Sequence, residues 1–136
     1  CNNSEDMRTT GDSVLSERTA RELYLRVFEY VLGRTNPLAI MAAYNKINGV
    51  FAAANHDLLD GVCRYEWGYE GWIMTDWDVR VSEAECLSAG CDTCMPGHYK
   101  TFAELQEGGL TRAVAQQRVA NLIQHLSKTK HYFIKL

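Results

Sequence analysis

Between Ser16 and Leu32, apolar side chains fall at Ala20, Leu23, Tyr24, Val27, Phe28, Val31 and Leu32. This i, i+3, i+4, i+7 spacing predicts one face of a helix. Ser16 is suited to cap its start and Gly33 to follow its end. Pro37 stops any continuation, and residues 38–43 (LAIMAA) are apolar at every position. A short run without alternation fits a strand buried on both faces, as in a parallel sheet, although Ala and Met also favour a helix. After a polar loop around Gly49, Asn55 can cap a helix as far as Arg64 that turns Leu58, Leu59, Val62 and Cys63 inward. Gly68 and Gly71 punctuate the next turn, and residues 72–75 (WIMT) read as a second buried strand ending at Asp76-Trp77. A short helix over 81–89 stops at Gly90, and residues 91–95 form a third candidate strand, halted by Pro96-Gly97. A helix over 102–106, the breaker Gly108-Gly109, and a helix from Thr111 with Val119, Leu122, Ile123 and Leu126 on one stripe complete the pattern.

Alternating helices and strands predict an α/β fold with a parallel sheet and crossover helices. In such sheets reactive groups gather at the C-terminal ends of the strands. The residues to weigh are therefore Tyr44, Asn45 and Lys46, then Asp76, Trp77 and Asp78, then His98 and Tyr99. Asp76 stands beside an indole, an arrangement suited to sugars: the apolar face of a pyranose stacks on a ring while a carboxylate approaches the anomeric carbon. The competing reading of Asp76 is a capping carboxylate for the next helix. Tyr44 holds the equivalent place on the previous strand, where its phenol could bind and orient a carboxylate or simply seal the core. Lys46 reads either as a group reaching a ligand hydroxyl or as a solvated loop lysine. Arg64 and Glu66 read as an ion pair at a helix end, on the edge opposite Asp76.

Composition narrows the function classes. The 136 residues are 46% apolar and 23% charged, and 14 Lys and Arg against 17 Asp and Glu give a net charge of −3. No apolar run approaches the roughly 18 residues of a membrane span, and residues 1–12 are too polar for a signal peptide. A mildly acidic chain without a basic stripe argues against nucleic acid as partner. Five cysteines, an odd number at irregular spacing, point to a reducing compartment rather than a disulfide framework. Cys86, Cys91, Cys94 and His98 form C-x4-C-x2-C-x3-H, a pattern open to zinc. Against zinc, residues three apart on a strand point to opposite faces, so the expectation is no metal. Phosphate-cradling, serine-hydrolase and zincin motifs are absent from the sequence.

The segments SERTARELYLRVF (16–28), MAAYNKINGV (41–50), LLDGVCRYEWGYEG (58–71), IMTDW (73–77) and AGCDTCMP (89–96) occur in this order along the chain. Together they resemble the barrel domain of glycoside hydrolase family 3, the β-glucosidase type. The resemblance implies the last three βα units of a (β/α)8-type barrel with flanking helices, the whole of residues 1–136 being a C-terminal portion of that barrel. It implies a retaining exo-β-glycosidase that hydrolyses terminal non-reducing β-D-glycosyl residues without a cofactor. Asp76 of Thr75-Asp76-Trp77 matches the family nucleophile, Trp77 a sugar-contacting wall, and Tyr44 the tyrosine near the nucleophile. Cys1-Asn2-Asn3 resembles the stretch after the Lys-His pair that binds glycone hydroxyls, a pair this sequence lacks.

An eight-unit barrel takes about 250 residues. The expectation is therefore a fragment without the first five strands, without their sugar-gripping aspartate and arginine, and without the separate domain that supplies the acid/base carboxylate. Retaining hydrolysis needs two carboxylates about 5–5.5 Å apart. The chain alone is thus expected to be inactive, with carbohydrate and the remaining barrel and acid/base domain as its partners. Uncovered strand edges and apolar faces favour a homo-oligomer or weak sugar binding instead. Residues 109–128 resemble the closing segment of members whose barrel comes last, which places Leu136 near a natural C-terminus and implies a cytoplasmic parent.

Overall fold

In the computed structural model, residues 1–128 other than Asn3 and Tyr99 are described. The expectations for Tyr99, Asn3 and Leu136 lie outside the described residues. The chain opens with a short strand, β1 (Asp12–Ser13). Glu17–Thr19, Ala20–Leu25 and Arg26–Thr35 follow as one continuous helix, α1, whose middle part has wide π-type turns. Next come β2 (Ala39–Ala42), the hairpin β3 (Lys46–Ile47) and β4 (Val50–Phe51), and a single 3-10 turn (Ala52–Ala54). Helix α2 (Asp57–Glu66), strand β5 (Trp72–Trp77), helix α3 (Glu83–Ala89) and strand β6 (Thr93–Met95) lead to α4 (Phe102–Glu107) and α5 (Arg112–Ser127).

Ser16 caps α1 as its chemistry suggests, accepting from the Thr19 N–H at 3.1 Å. The helix does not stop at Gly33. It runs on to Asn36, which takes the left-handed conformation (φ 42°) and donates its N–H to the Leu32 carbonyl at 3.2 Å. Asparagine tolerates that conformation, and Pro37 beyond it cannot continue the helix. Gly33 costs the helix only about 1 kcal/mol, too little to end it.

Strands β2, β5 and β6 form a parallel sheet in the order β2-β5-β6. Helix α2 lies between β2 and β5 in the chain and α3 between β5 and β6, the alternating pattern of a barrel-type α/β unit. Ile73 and Thr75 on β5 are almost fully enclosed, at 0% and 1% exposure. Ile73 packs among Leu32, Leu59, Cys63, Cys86 and Ala89 from the surrounding helices. The other face stays open. Met41, paired in register with Met74, is 56% exposed, so β2 is buried on one face rather than on both.

Register between β5 and β6 is irregular. Met74 pairs with Thr93 and Trp77 with Met95, three steps on β5 against two on β6. One extra residue in a ladder is a bulge, which bends the strand and re-aims a side chain. The bulge falls at Thr75-Asp76, and the Thr75 hydroxyl takes up the slack by accepting the Met95 N–H at 2.8 Å.

Arg64 and Glu66 do not pair with each other, because two helical steps turn them to different sides. Glu66 is gripped at 2.6 and 3.0 Å by Arg21 of α1. Arg64 turns inward, bonding Asp92 at 2.6 Å and the carbonyls of Gly71 and Gly90 at 3.2 Å each. Asp92 is buried and also accepts from the Ile73 N–H at 2.8 Å and from Asn121 of α5 at 3.0 Å. Helix α5 therefore docks by a face that carries polar side chains as well as Leu122 and Leu126. Arg118, itself buried, bonds Asp60 at 2.9 Å and the Leu87 carbonyl at 3.0 Å. Of the expected stripe, Leu122 and Leu126 are half-buried, whereas Val119 and Ile123 face outward, 55% and 62% exposed.

Candidate active site

The loop after β2 is held by a second small sheet, in the order β1-β3-β4. Between β3 and β4, Asn48 and Gly49 both have positive φ, 50° and 86°. That is the two-residue hairpin turn for which Asn-Gly is the preferred pair. Asn48 adds two hydrogen bonds to the Leu15 backbone, both 2.9 Å. Asn45 is buried and donates to the Lys46 carbonyl at 2.8 Å and to the Ser13 hydroxyl at 3.1 Å. Asn45 is thus a framing residue. Lys46 lies 4.9 Å from the Phe51 ring centre on its own hairpin, which accounts for its position without a ligand.

This frame brings Tyr44 to the end of β5. Its hydroxyl donates to the Trp77 carbonyl at 2.6 Å, within the field of the Asp76 carboxylate. Partial desolvation, then the neighbouring Asp76 carboxylate and, more weakly, Asp78, raise the pKa of the phenol. It therefore stays a protonated donor at neutral pH. The guanidinium of Arg8 lies 5.3 Å from the Tyr44 ring centre and opposes the shift. Arg8 has no mark in the periodicity, since it lies outside every regular element.

Asp76 is half-buried, and one carboxylate oxygen accepts from the Trp77 N–H at 2.6 Å. It does not cap the next helix: Ser82 does, in a reciprocal capping box with Glu85. Beside it the Trp77 side chain stands open, the residue being 53% exposed. Asp78 takes a left-handed conformation, φ 53°, and its N–H donates to Met95 at 3.0 Å. Its carboxylate is 3.6 Å from His98 Nε2, while Nδ1 of His98 lies 2.9 Å from Glu83. The three strand ends thus meet as Tyr44, Asp76-Trp77-Asp78 and His98.

Cys63, Cys86 and Cys91 belong to the buried core, and Cys94 packs against it. Cys91 donates to the Ala53 carbonyl at 3.5 Å and Cys94 contacts the Glu83 carbonyl at 3.9 Å. Among the described residues, no three His, Cys, Asp or Glu side chains are placed to hold a metal.

Residues 4–129 match the family model described as the glycosyl hydrolase family 3 N-terminal domain. The chain belongs to glycosyl hydrolase family 3. Among its curated family relatives, β-glucosidase B of Emericella nidulans is 38% identical over 133 residues, 93% of this chain and 16% of the relative. The exo-α-(1→6)-L-arabinopyranosidase of Bifidobacterium breve is 36% identical over 132 residues, 95% of this chain and 17% of the relative. Among solved structures of the family, β-glucosidase 3B from Thermotoga neapolitana in complex with α-D-glucose superposes with a TM-score of 0.86 at 37% identity, covering 93% of this chain and 19% of that one. The Bifidobacterium adolescentis family 3 β-glucosidase gives 0.88 at 33% identity over 95% of this chain and 20% of that one. The chain thus spans about a sixth of the curated family relatives' length.

Proposed function

We propose that this chain is the nucleophile-bearing part of a retaining exo-β-glycosidase, with Asp76 as the nucleophile. The observation that carries the reading is the half-buried Asp76 carboxylate at a strand-end bulge, held by the Trp77 N–H and flanked by the open indole of Trp77. In the complete enzyme, Asp76 attacks the anomeric carbon of a terminal β-D-glycosyl residue and forms a covalent glycosyl-enzyme. The aglycone leaves as an alcohol, protonated by a carboxylic acid outside this chain. The same group, now a base, then activates water to release the sugar with retention. Tyr44, tied to the Trp77 carbonyl, fixes the backbone next to the Asp76 carboxylate, and Trp77 offers the apolar surface on which a pyranose stacks. The two family relatives carry glucosidase and arabinopyranosidase names, which supports a pyranoside as substrate.

A fluorinated glycosyl inhibitor applied to the complete enzyme should label the peptide containing Asp76, read by mass spectrometry. Label on any other carboxylate would reject the assignment. Pure 136-residue chain should not hydrolyse a chromogenic glucoside, because it supplies one carboxylate of the pair the mechanism needs.

A second reading concerns the chain by itself. Leu23 and Val27 on α1 are 67% and 62% exposed, Met41 on the sheet's open face 56%. Such a surface favours association with a second copy. Light scattering on the isolated chain should give dimers or larger species; a monodisperse monomer would count against this reading.

A further inference from the structure

Residues 78–82 join the end of β5 to α3, and polar ties hold them. Asp78 donates its N–H to the Met95 carbonyl at 3.0 Å from a left-handed conformation, φ 53°. A residue other than glycine keeps that conformation only where its surroundings impose it. Val79 and Val81 pack against the core, yet they also line a cavity of about 120 Å³ behind the loop. Packing alone therefore leaves the loop room to shift.

A carboxylate, an imidazole and a second carboxylate close the loop from the side of α3. Glu83, the first residue of that helix, has a side chain only 13% exposed. One of its oxygens accepts from the His98 backbone N–H at 2.8 Å and lies 2.9 Å from His98 Nδ1. An ionised carboxylate only accepts, so Nδ1 carries a proton, and Nε2 is turned toward the Asp78 carboxylate 3.6 Å away. Protonated at both nitrogens, the ring pairs with the two carboxylates at once.

We propose that His98 is a positioning residue for the glycosidase site: held by Glu83, it clamps Asp78 and so keeps the adjoining Trp77 in the orientation that receives a pyranose. This role rests on the assignment of Asp76 and Trp77 to the sugar-binding strand end. His98 acts through Asp78 and the backbone, not on the reacting atoms.

The clamp lies at the surface, where a single ion pair adds little to global stability, and Arg80 supplies a further 3.3 Å bond from the loop to Thr9. Its effect falls on a population instead. Where only a fraction of free molecules hold the receptive orientation, the apparent dissociation constant is the intrinsic one divided by that fraction. Weakening the clamp lowers the fraction and raises KM. Bound sugar selects the same geometry as before, so kcat is kept.

The test uses the complete enzyme and a chromogenic β-glucoside, with His98→Ala, Glu83→Ala and the double variant. Each single variant should raise KM about two- to fivefold, the scale of an exposed ion pair, with kcat within about 1.5-fold of wild type. The double variant should match the singles, because both substitutions remove one clamp. Glu83→Gln, whose amide oxygen still accepts from the ring, should recover most of the loss. Hydrogen–deuterium exchange on the same proteins should quicken in the peptide across residues 77–80 and stay unchanged in β2. Should His98→Ala fail to fold, Asp78→Asn removes the charge at the other end of the clamp and should raise KM in the same way. Additive losses in the double variant, a fall in kcat with KM unchanged, or unaltered exchange at residues 77–80 would each overturn the proposal. Exchange reads the clamp without turnover, so a nucleophile other than Asp76 and a missing clamp give different results.

Discussion

Asp76→Ala in the complete enzyme should lower kcat by about four orders of magnitude or more, the scale on which loss of a covalent nucleophile acts. Glycoside affinity should change far less, because the stacking surface of Trp77 and the phenol of Tyr44 remain. The vacated space gives a sharper signature than the loss itself. Added azide is small enough to occupy it and attack the anomeric carbon from the same side, so an activated β-glycoside should yield the α-glycosyl azide with partial recovery of rate. Product anomer is read by nuclear magnetic resonance. A variant within tenfold of wild type, or azide with no effect on rate or product, would place the nucleophile elsewhere. Tyr44 cannot substitute for the missing group. Its hydroxyl is tied at 2.6 Å to the Trp77 carbonyl, and its raised pKa keeps it protonated.

The second large effect concerns folding. Asp92→Ala should destabilise the chain by about 3–5 kcal/mol, the cost of removing one partner of a buried ion pair. The carboxylate is buried, and three donors from three segments converge on it: Arg64 of α2, the Ile73 N–H of β5 and Asn121 of α5. Its removal leaves a guanidinium and a fully buried backbone N–H short of an acceptor. Against a total stability of about 5–15 kcal/mol for an ordinary domain, that is enough to unfold much of the population. Urea denaturation followed by circular dichroism should show the midpoint fall steeply. Asp92→Asn, which keeps an acceptor but not the charge, should lie between wild type and alanine. Equal midpoints for all three would show that the network contributes little.

These two carboxylates were not equally legible. Asp76 stands at the end of an apolar run next to tryptophan, and both its strand position and its motif mark it. Asp92 sits one residue after a cysteine at the start of a short strand, with nothing in spacing or charge to reveal three donors converging from distant segments. Arg64 illustrates the same limit. A nearby Glu66 is the natural local partner, yet helical geometry turns the two apart and each pairs across the fold, with Asp92 and with Arg21. On α5 the apolar stripe is only partly the buried face: Leu122 and Leu126 are half-buried beside the docked Arg118 and Asn121, while Val119 and Ile123 face outward. Periodicity assigns a face to a helix but cannot say which face its neighbours require.

The order of the helices and of β2, β5 and β6, the parallel α/β architecture and the caps at Ser16 and Asn55 were determined by sequence alone, whereas the short strands β1, β3 and β4 were not. Each depends on residues within one or two turns of each other, where propensity, capping and period dominate. Tertiary structure decided what depends on distance. The bulge that offsets β5 from β6 at Asp76, the approach of Tyr44 across from β2, and the convergence of Arg64 and Asn121 on Asp92 exist only once separate segments are packed together. A local pattern specifies which residues share a face, but their partners are set by the long-range burial that brings those faces into contact.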